Sequence, residues 1–199
     1  MKVIMATSNK DKVREIREML ANTGIEIVSL KEAGISVDIE ENGTSFDENA
    51  AIKAETIRNL TGQLTIADDS GLAIDYLDGA PGVYSSRFMG EDTSYTIKNN
   101  AILEKLKGVP DEKRSARFVC SMAIAYPDGH TDLVQGIMEG RIAYQIAGEG
   151  GFGYDPIFFL PEKNCTSAEL TDDEKNEISH RGQALRQVIK ILQNYKNNC

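Results

Sequence analysis

The sequence predicts an α/β fold in which helices flank a mixed β-sheet. Short apolar runs with the length of buried strands alternate with segments whose apolar residues recur at helical spacing. The turn signal Pro127-Asp128-Gly129 lies between two strand-like runs and indicates an antiparallel hairpin. Since strand–helix units favour parallel pairing, we expect both strand orientations in the sheet.

The first half of the chain has the pattern of strands alternating with helices. Residues 3–6 form a short apolar run, and the polar residues that follow can cap a helix over residues 10–21. Ser45 and Glu48 have the spacing of a capping box, which predicts a second helix that runs towards Gly62. Three further apolar runs have the length of strands: residues 25–30, 64–67 and 72–74.

The second half adds a helix, the hairpin and two more helices. A helix is expected over residues 93–107, closed by Gly108 and Pro110. Thr171 predicts the start of a short helix, and Ser179 can cap the last one. The strand-like runs of this half cover residues 117–126, 133–142 and 157–160. The last helix has an apolar stripe formed by Leu185, Val188, Ile189 and Leu192.

Length and composition are typical of one globular domain. With 199 residues and 41% hydrophobic content, the chain can bury a sizeable core, so we expect a single domain over residues 1–199. The formal net charge of −9 argues against a nucleic acid or an anionic membrane as partner, because either would need a basic surface. The N-terminal apolar run is too short for a signal peptide or a membrane span, so we expect a cytoplasmic protein.

The number and spacing of the cysteines are also consistent with a cytoplasmic protein. Cys120, Cys165 and Cys199 are odd in number, widely separated and without the spacing of metal ligands. We therefore expect reduced thiols, as in intracellular proteins, and neither a disulfide framework nor a zinc site.

The segment Ala67-Asp68-Asp69-Ser70-Gly71-Leu72 places two adjacent carboxylates and a hydroxyl where an apolar run breaks. Aspartate is unfavourable inside a strand and costly to bury, so the pair needs a cation, hydrogen-bond donors or solvent. Sites for hard metal ions are often built from such carboxylates. Asp-Ser-Gly is also common in turns, and a simple turn is the alternative.

A second acidic pair, Glu40 and Glu41, precedes a polar stretch. Magnesium binds one or two carboxylates together with water and phosphate oxygens, so a sparse acidic set suits it better than it suits calcium. Lys53 lies one helical turn after Asn49 and can point to the same cleft. A solvated surface would show the same charged residues and is the alternative.

The segment between the first strand and the first helix can bind phosphate, because free amide groups and the positive helix end favour anions. Lys10 and Lys12 can add charge, but the spacing of a P-loop is absent. Capping of the helix without a ligand is the alternative. The segment consists of Thr7, Ser8, Asn9, Lys10, Asp11 and Lys12.

The segment from Gly148 to Pro156 contains four glycines in six positions, residues 148–153. So many glycines carry a large entropic cost unless the backbone must approach a partner closely. Phe152 within it is a candidate for stacking on a base, and a hydrophobic plug under the loop is the alternative.

Downstream, basic and polar side chains gather near the start of a helix. Arginine and backbone donors there can recognise acceptor atoms on a base or a phosphate. A capping or packing role for the histidine is the alternative. The residues are Lys175, Ser179, His180 and Arg181.

In combination, six segments resemble the inosine triphosphate pyrophosphatase family, the Ham1-like non-standard purine nucleoside triphosphatases. They occur in family order across nearly the whole chain, which makes their joint occurrence highly specific. One variation is Ser8, where relatives often have glycine. The segments are Ala6-Thr7-Ser8-Asn9-Lys10, Phe46-Asp47-Glu48-Asn49-Ala50, Ala67-Asp68-Asp69-Ser70-Gly71-Leu72, Gly79-Ala80-Pro81-Gly82-Val83-Tyr84-Ser85, Gly151-Phe152-Gly153-Tyr154-Asp155-Pro156 and Ser179-His180-Arg181-Gly182-Gln183-Ala184-Leu185.

The resemblance implies hydrolysis of inosine and xanthosine triphosphates, with their deoxy forms, to the monophosphate and pyrophosphate. It also implies an elongated two-lobed fold with the nucleotide in a central cleft, commonly as a homodimer that uses magnesium. A related pyrophosphatase for other modified triphosphates is one alternative. A non-enzymatic nucleotide-binding module is the other, and it would not need the acidic cluster.

The resemblance assigns roles to matching residues. Asp69 would be the general base that activates water, and Glu40 with Asp69 would hold Mg²⁺. Hypoxanthine and xanthine carry an O6 acceptor where adenine has an amino donor, so a donor such as Arg181 would discriminate between them. The residues implied to contact phosphates are Thr7, Ser8, Asn9, Lys10, Asp11, Lys12 and Lys53. Those implied to contact the nucleotide are Ser70, Phe152, Gly153, Tyr154, Asp155, Lys175, His180 and Arg181.

Overall fold

The computed structural model describes residues 1–198 and has the expected α/β architecture. None of the helices in this part of the chain is long and apolar enough to cross a membrane. The strands are β1 (Lys2–Met5), β2 (Glu26–Ser29), β3 (Thr65–Ile74), β4 (Ser115–Ala125), β5 (Thr131–Ile142), β6 (Phe158–Leu160) and β7 (Cys165–Thr166). The α-helices are α1 (Lys10–Leu20), α2 (Phe46–Thr61), α3 (Tyr95–Lys105), α4 (Asp172–Ile178) and α5 (His180–Asn198).

The sheet is mixed, as the sequence predicts. Its strand order is β2-β1-β3-β4-β5-β6-β7. Strand β1 pairs in parallel with β2 and β3, whereas β6 pairs antiparallel with β5 and β7. Helices α1 and α2 supply the connections between the parallel strands, because such strands cannot be joined by a tight turn.

The chain divides into two compact units. The first contains residues 1–69 and 120–136 together with the C-terminal segment that begins at Arg181. The second contains residues 70–119 and 137–180. The long strands β3, β4 and β5 each contribute residues to both units.

In the first unit, alternate residues of β1, counted together with the residue that follows it, enter two different apolar clusters. Val3 and Met5 pack with apolar residues of α1 and α5. Ile4 and Ala6 lie instead in a cluster with residues of α2. This follows from the two-residue period of a strand, whose successive side chains point to opposite faces. Because both faces are covered, the strand is apolar at every one of these positions.

The C-terminal helix buries the stripe that the sequence predicts. Leu185, Val188 and Leu192 have no exposed surface, and Ile189 packs against the same cluster while partly exposed. Their spacing places them on one face of α5, so this helix is amphipathic and covers the core of the first unit.

The thiols of Cys120 and Cys165 are free, and Cys199 lies outside the described residues. Burial raises the pKa of Cys120 to about 12, and the negative charge of Asp68 adds to this effect. The Cys120 thiol is therefore protonated at neutral pH and behaves as a small apolar core group.

The second unit has a buried arginine at its centre. Arg114 is 1% exposed. Its guanidinium donates hydrogen bonds to four carbonyl oxygens, those of Leu106 (2.7 Å), Val109 (3.3 Å), Ile142 (2.8 Å) and Ala143 (2.7 Å). These bonds satisfy the buried guanidinium and connect the end of α3 to the end of β5.

We expect Arg114→Leu to lower the free energy of unfolding by about 3 kcal/mol, because four buried carbonyl groups lose their donor. Arg14→Leu is the matched control, since Arg14 is exposed on α1 and forms a solvent-exposed ion pair with Glu18 one helical turn away. Its effect should be within about 0.5 kcal/mol. Urea unfolding of both variants measures the difference, and equal losses would contradict the role of Arg114.

Candidate active site

Asp68 and Asp69 lie inside a continuous strand. The sequence predicts a break between residues 67 and 72, but β3 runs without interruption over Thr65–Ile74, so that prediction is wrong. Asp68 has no exposed surface and Asp69 is 8% exposed. The strand tolerates both residues because neighbouring side chains supply the charges and donors that their carboxylates require.

The carboxylate of Asp68 is held by two cations. Its Oδ2 atom lies 2.9 Å from Lys12 Nζ and 3.4 Å from a terminal nitrogen of Arg181. The other terminal nitrogen of Arg181 lies 2.6 Å from Glu15 Oε2, so a second residue of α1 joins the network. Burial by itself raises the pKa of Asp68, but Lys12, Arg181 and Lys53 outweigh it and hold the pKa below its usual value. Asp68 is therefore ionised at neutral pH.

Asp69 has the opposite electrostatic character. Burial raises its pKa above the usual value of 3.8, and the attraction of Lys53 and Lys12 offsets only part of this. Glu41 raises the pKa further, while a hydrogen bond from Asn49 Nδ2 to Asp69 Oδ2, 3.1 Å long, lowers it. Asp69 is the member of the pair that accepts a proton more readily, as a general base must.

Lys53 lies between two carboxylates. Its Nζ atom is 2.9 Å from Glu41 Oε2 and 3.6 Å from Asp69 Oδ1. Burial lowers the pKa of Lys53, but Asp69, Asp68 and Glu41 raise it by more, so the ammonium group stays charged. The structure thus brings Glu41 to this cation, whereas Glu40 is exposed. The role of Glu40 as a metal ligand stays a prediction.

The acidic centre fits a magnesium ion that arrives with a phosphate ligand. Residues 1–198 contain no group of three or more His, Cys, Asp or Glu that could hold a metal ion. Magnesium needs only one or two carboxylates and completes its shell with water and phosphate oxygens. The Asp69 side chain is 11% exposed, so it can contact such an ion.

The segment before α1 is organised by its own side chains. Asn9 caps the helix, and its Oδ1 atom accepts hydrogen bonds from the amides of Asp11 (3.0 Å) and Lys12 (3.2 Å). The Thr7 hydroxyl accepts from the Asn9 amide at 3.2 Å. Capping thus engages two of the amide groups at the helix start. Four residues of the segment are exposed: Ser8, Asn9, Lys10 and Asp11.

In the second unit, Asp155 organises the glycine-rich loop. Its Oδ2 atom accepts hydrogen bonds from the Phe152 amide and from Lys175 Nζ, both 2.8 Å long. The Lys175 ammonium lies 4.9 Å from the centre of the Phe152 ring, a cation–π distance. Gly151 has a φ of +67°, and a Cβ atom there would lie 2.3 Å from Asp155 Oδ2. Only glycine fits this position, and the aromatic face is fixed by its neighbours.

The second unit contains four further residues that the sequence predicts as nucleotide contacts, and their environments differ from one another. His180 is buried, and its ring stacks on Phe118 with centroids 4.8 Å apart. Ser70 lies on β3 and is partly exposed. Gly153 and Tyr154 are held by side chains of α3.

The sequence pattern assigns no role to Glu15 or Asn49 of the first unit, and it names Glu41 only as a member of the acidic set. Asn49 precedes Lys53 by four positions and Glu15 follows Lys12 by three, so helical spacing indicates that each pair shares a face. No spacing rule predicts that Arg181, 166 residues after Glu15, completes the network.

Comparison with known proteins gives concordant results. A sequence model described as the Ham1 family matches residues 3–191. The dITP/XTP pyrophosphatase of Bacillus licheniformis is 49% identical over 190 residues, which cover 96% of this chain and 97% of that protein. The dITP/XTP pyrophosphatase of Bacillus subtilis is 48% identical over 190 residues, with 96% of each chain covered.

Solved structures show the same relationship. The Ham1 protein of Staphylococcus aureus matches with a TM-score of 0.88 and 34% identity, covering 98% of this chain and 100% of that one. A HAM1 protein from Coxiella burnetii matches with a TM-score of 0.89 and 41% identity, covering 98% and 99% of the two chains. The similarity therefore extends over the whole fold.

We expect Asp68→Asn to lower stability at neutral pH and Asp69→Asn not to lower it. The ionised Asp68 carboxylate stabilises the folded state, and its loss removes the carboxylate that lies 2.9 Å from Lys12 and one of the two that lie close to Arg181. The expected cost is about 3 kcal/mol. The fold disfavours the ionised form of Asp69, so Asp69→Asn should leave the free energy of unfolding unchanged or higher.

The pH dependence provides a second measurement. Because the fold lowers the pKa of Asp68, its contribution is complete above the unfolded pKa of about 3.9 and is lost as the pH falls below that value. Chemical unfolding at neutral pH and at about pH 3 should show the difference between wild type and Asp68→Asn shrinking in acid. A constant difference, or equal losses for both aspartates, would contradict the assignment.

Proposed function

The chain belongs to the Ham1 family, and we infer that it is a pyrophosphatase that hydrolyses non-standard purine nucleoside triphosphates such as dITP and XTP. The observation that carries this inference is the acidic pair of β3, in which Asp68 is held ionised while the pKa of Asp69 is raised. Two adjacent carboxylates with opposite shifts beside lysines suit proton transfer next to a phosphate chain.

The proposed reaction is attack of water on the α-phosphorus. The new bond joins the water oxygen to this phosphorus, and the bond to the oxygen that bridges the α- and β-phosphorus breaks. Pyrophosphate leaves with that oxygen, and the nucleoside monophosphate remains. Asp69 accepts a proton from the attacking water, which its raised pKa favours.

Charge neutralisation is the main requirement of this step. We assign the phosphates to Lys12 and Lys53 and to the segment from Thr7. Lys12 is fixed by Asp68 and Lys53 by Glu41, so both ammonium groups are placed before a substrate binds. Mg²⁺ held by Glu40 and Asp69 would neutralise further charge on the phosphate oxygens.

We assign recognition of the base to residues that the sequence predicts as nucleotide contacts. Phe152 offers a stacking face whose position Asp155 and Lys175 fix. Arg181 is the proposed donor to the O6 atom of hypoxanthine or xanthine, which adenine lacks. Further nucleotide contacts are assigned to Ser70, Gly153, Tyr154 and His180.

We also propose that the enzyme acts in the cytoplasm as a homodimer. Free nucleotides are its substrates, which supports the location, and the family resemblance supports the dimer. Light scattering of the purified protein tests the oligomeric state.

Product analysis tests the proposed reaction. The protein is incubated with dITP, XTP, dGTP or dATP, with and without magnesium, and pyrophosphate is distinguished from orthophosphate. Pyrophosphate formed from dITP and XTP in the presence of magnesium supports the proposal. Orthophosphate alone would place cleavage at another bond, and no turnover of any substrate would contradict enzymatic function.

We expect Asp69→Asn to lower kcat by roughly a hundredfold or more, because an amide cannot accept the proton from water. Binding of dITP should stay measurable by calorimetry, since the lysines and Phe152 are retained. Asp92→Asn is the control, because Asp92 is exposed in a turn. Near-normal turnover by Asp69→Asn would exclude Asp69 as the base.

The acid limb of kcat/KM should have its midpoint above 3.8, the usual pKa of aspartate, because Asp69 must be deprotonated to act and its pKa is raised. Lys53→Met should move this limb to higher pH, since Lys53 is the strongest charge that opposes the rise. Its matched control is the exposed Lys105→Met on α3, which should keep the wild-type profile. An unshifted limb in Lys53→Met would show that another group titrates.

A further inference from the structure

Helix α3 carries two buried polar residues with no role in the proposed reaction. Lys98 is 1% exposed and Asn99 is 2% exposed. Buried lysines are rare unless they are paired with an opposite charge. Within residues 1–198, Lys98 forms no ion pair with a carboxylate, although the negative charge of Glu91 acts on it from a greater distance. Its Nζ atom donates to the Ser86 carbonyl at 2.6 Å and lies 4.9 Å from the centre of the Tyr95 ring. The cost of burying this charge calls for an explanation.

Asn99 contacts the glycine-rich loop. Its Nδ2 atom donates to the carbonyl oxygen of Gly153 at 3.1 Å. Gly153 has a φ of +71°, so the loop reverses at the residue that Asn99 holds. The Tyr95 ring packs edge-on against the Tyr154 ring, with centroids 5.2 Å apart. Both contacts therefore hold the two residues that directly follow Phe152, which are Gly153 and Tyr154.

The same helix fixes the segment that follows β3. Lys98 holds the Ser86 carbonyl, and the Tyr154 hydroxyl donates to the Ser85 carbonyl at 2.8 Å. The Ser85 hydroxyl in turn accepts from the Leu72 amide at 2.9 Å. The backbone is close-packed here, since a Cβ atom on Gly71 would lie 2.4 Å from Ser85 Oγ. These contacts therefore reach the residue next to Ser70.

We propose that Lys98 and Asn99 are positioning residues that hold two nucleotide-binding segments of the second unit, the loop at Phe152–Asp155 and the strand at Ser70. Neither residue touches the reacting atoms. Asn99 acts through Gly153, and Lys98 acts through Ser86 and Ser85. Their polar contacts explain why a lysine and an asparagine occupy a buried face of α3. The proposal rests on the pyrophosphatase function inferred above.

Asn99→Leu tests the first contact. Asn99 Oδ1 has no hydrogen-bond partner within residues 1–198, so the variant removes only the bond to Gly153. We expect KM for dITP to rise about tenfold while kcat stays within about twofold, because the loop positions the nucleotide and takes no part in bond cleavage. Asn99→Ala removes the same donor without adding bulk and serves if the leucine variant does not fold.

Lys98→Met tests the second contact, since it keeps most of the side chain and removes the donor to Ser86. It should also raise KM with little change in kcat. Asn100→Leu is the matched control: Asn100 is the next residue of α3, is exposed, and donates a hydrogen bond to the Thr96 carbonyl one turn back. Its kinetic constants should equal those of the wild type.

Hydrogen exchange without substrate separates this proposal from the pyrophosphatase function. We expect faster amide exchange over residues 148–155 in Asn99→Leu and over residues 82–86 in Lys98→Met, with Asn100→Leu unchanged. If wild type does not hydrolyse dITP, the proposed function fails, whereas exchange still decides whether α3 holds these segments. Unchanged exchange, unchanged KM, or a loss confined to kcat would overturn the positioning role.

Discussion

The removal of two adjacent carboxylates from water is the constraint on which the first unit depends. An apolar strand can contain Asp68 and Asp69 only if cations and donors are delivered to both of its faces. Helix α1 supplies Lys12, α2 supplies Lys53, and α5 supplies Arg181. The apolar faces of these helices make the core, and their polar residues satisfy one strand. Fold and candidate site are therefore held by the same contacts.

The two aspartates are stabilised to different degrees by their neighbours. As a result, Asp68 contributes to the stability of the fold, whereas Asp69 is suited to the proposed reaction. Asp68 has two close cations and is ionised, so it anchors the helices. Asp69 accepts a hydrogen bond from the Asn49 side-chain amide and lies 3.6 Å from the Lys53 ammonium, and burial is the largest influence on its pKa. A carboxylate that the fold does not fully stabilise is suited to accept a proton, at a cost in stability that active sites commonly carry.

Local pattern was sufficient for most of the secondary structure. The helix caps at Asn9 and Ser45, the apolar stripe of α5 and the mixed sheet all follow from periodicity and capping chemistry. The predicted break at the acidic pair is wrong, because aspartates inside an apolar run indicate a break when their partners are unknown. In the second unit, the role of Asp155 as the acceptor that joins Phe152 to Lys175 was equally invisible to local rules.

The sequence by itself determined the fold class, the family resemblance and the residue types of the site, because periodicity and short motifs are local properties of the chain. Only the tertiary structure decided which charges meet. It pairs Glu41 with Lys53, and Glu15 with Arg181. It also gives Asp68 and Asp69 opposite pKa shifts. Those shifts depend on burial and on distances between residues far apart in the chain, which no spacing rule contains.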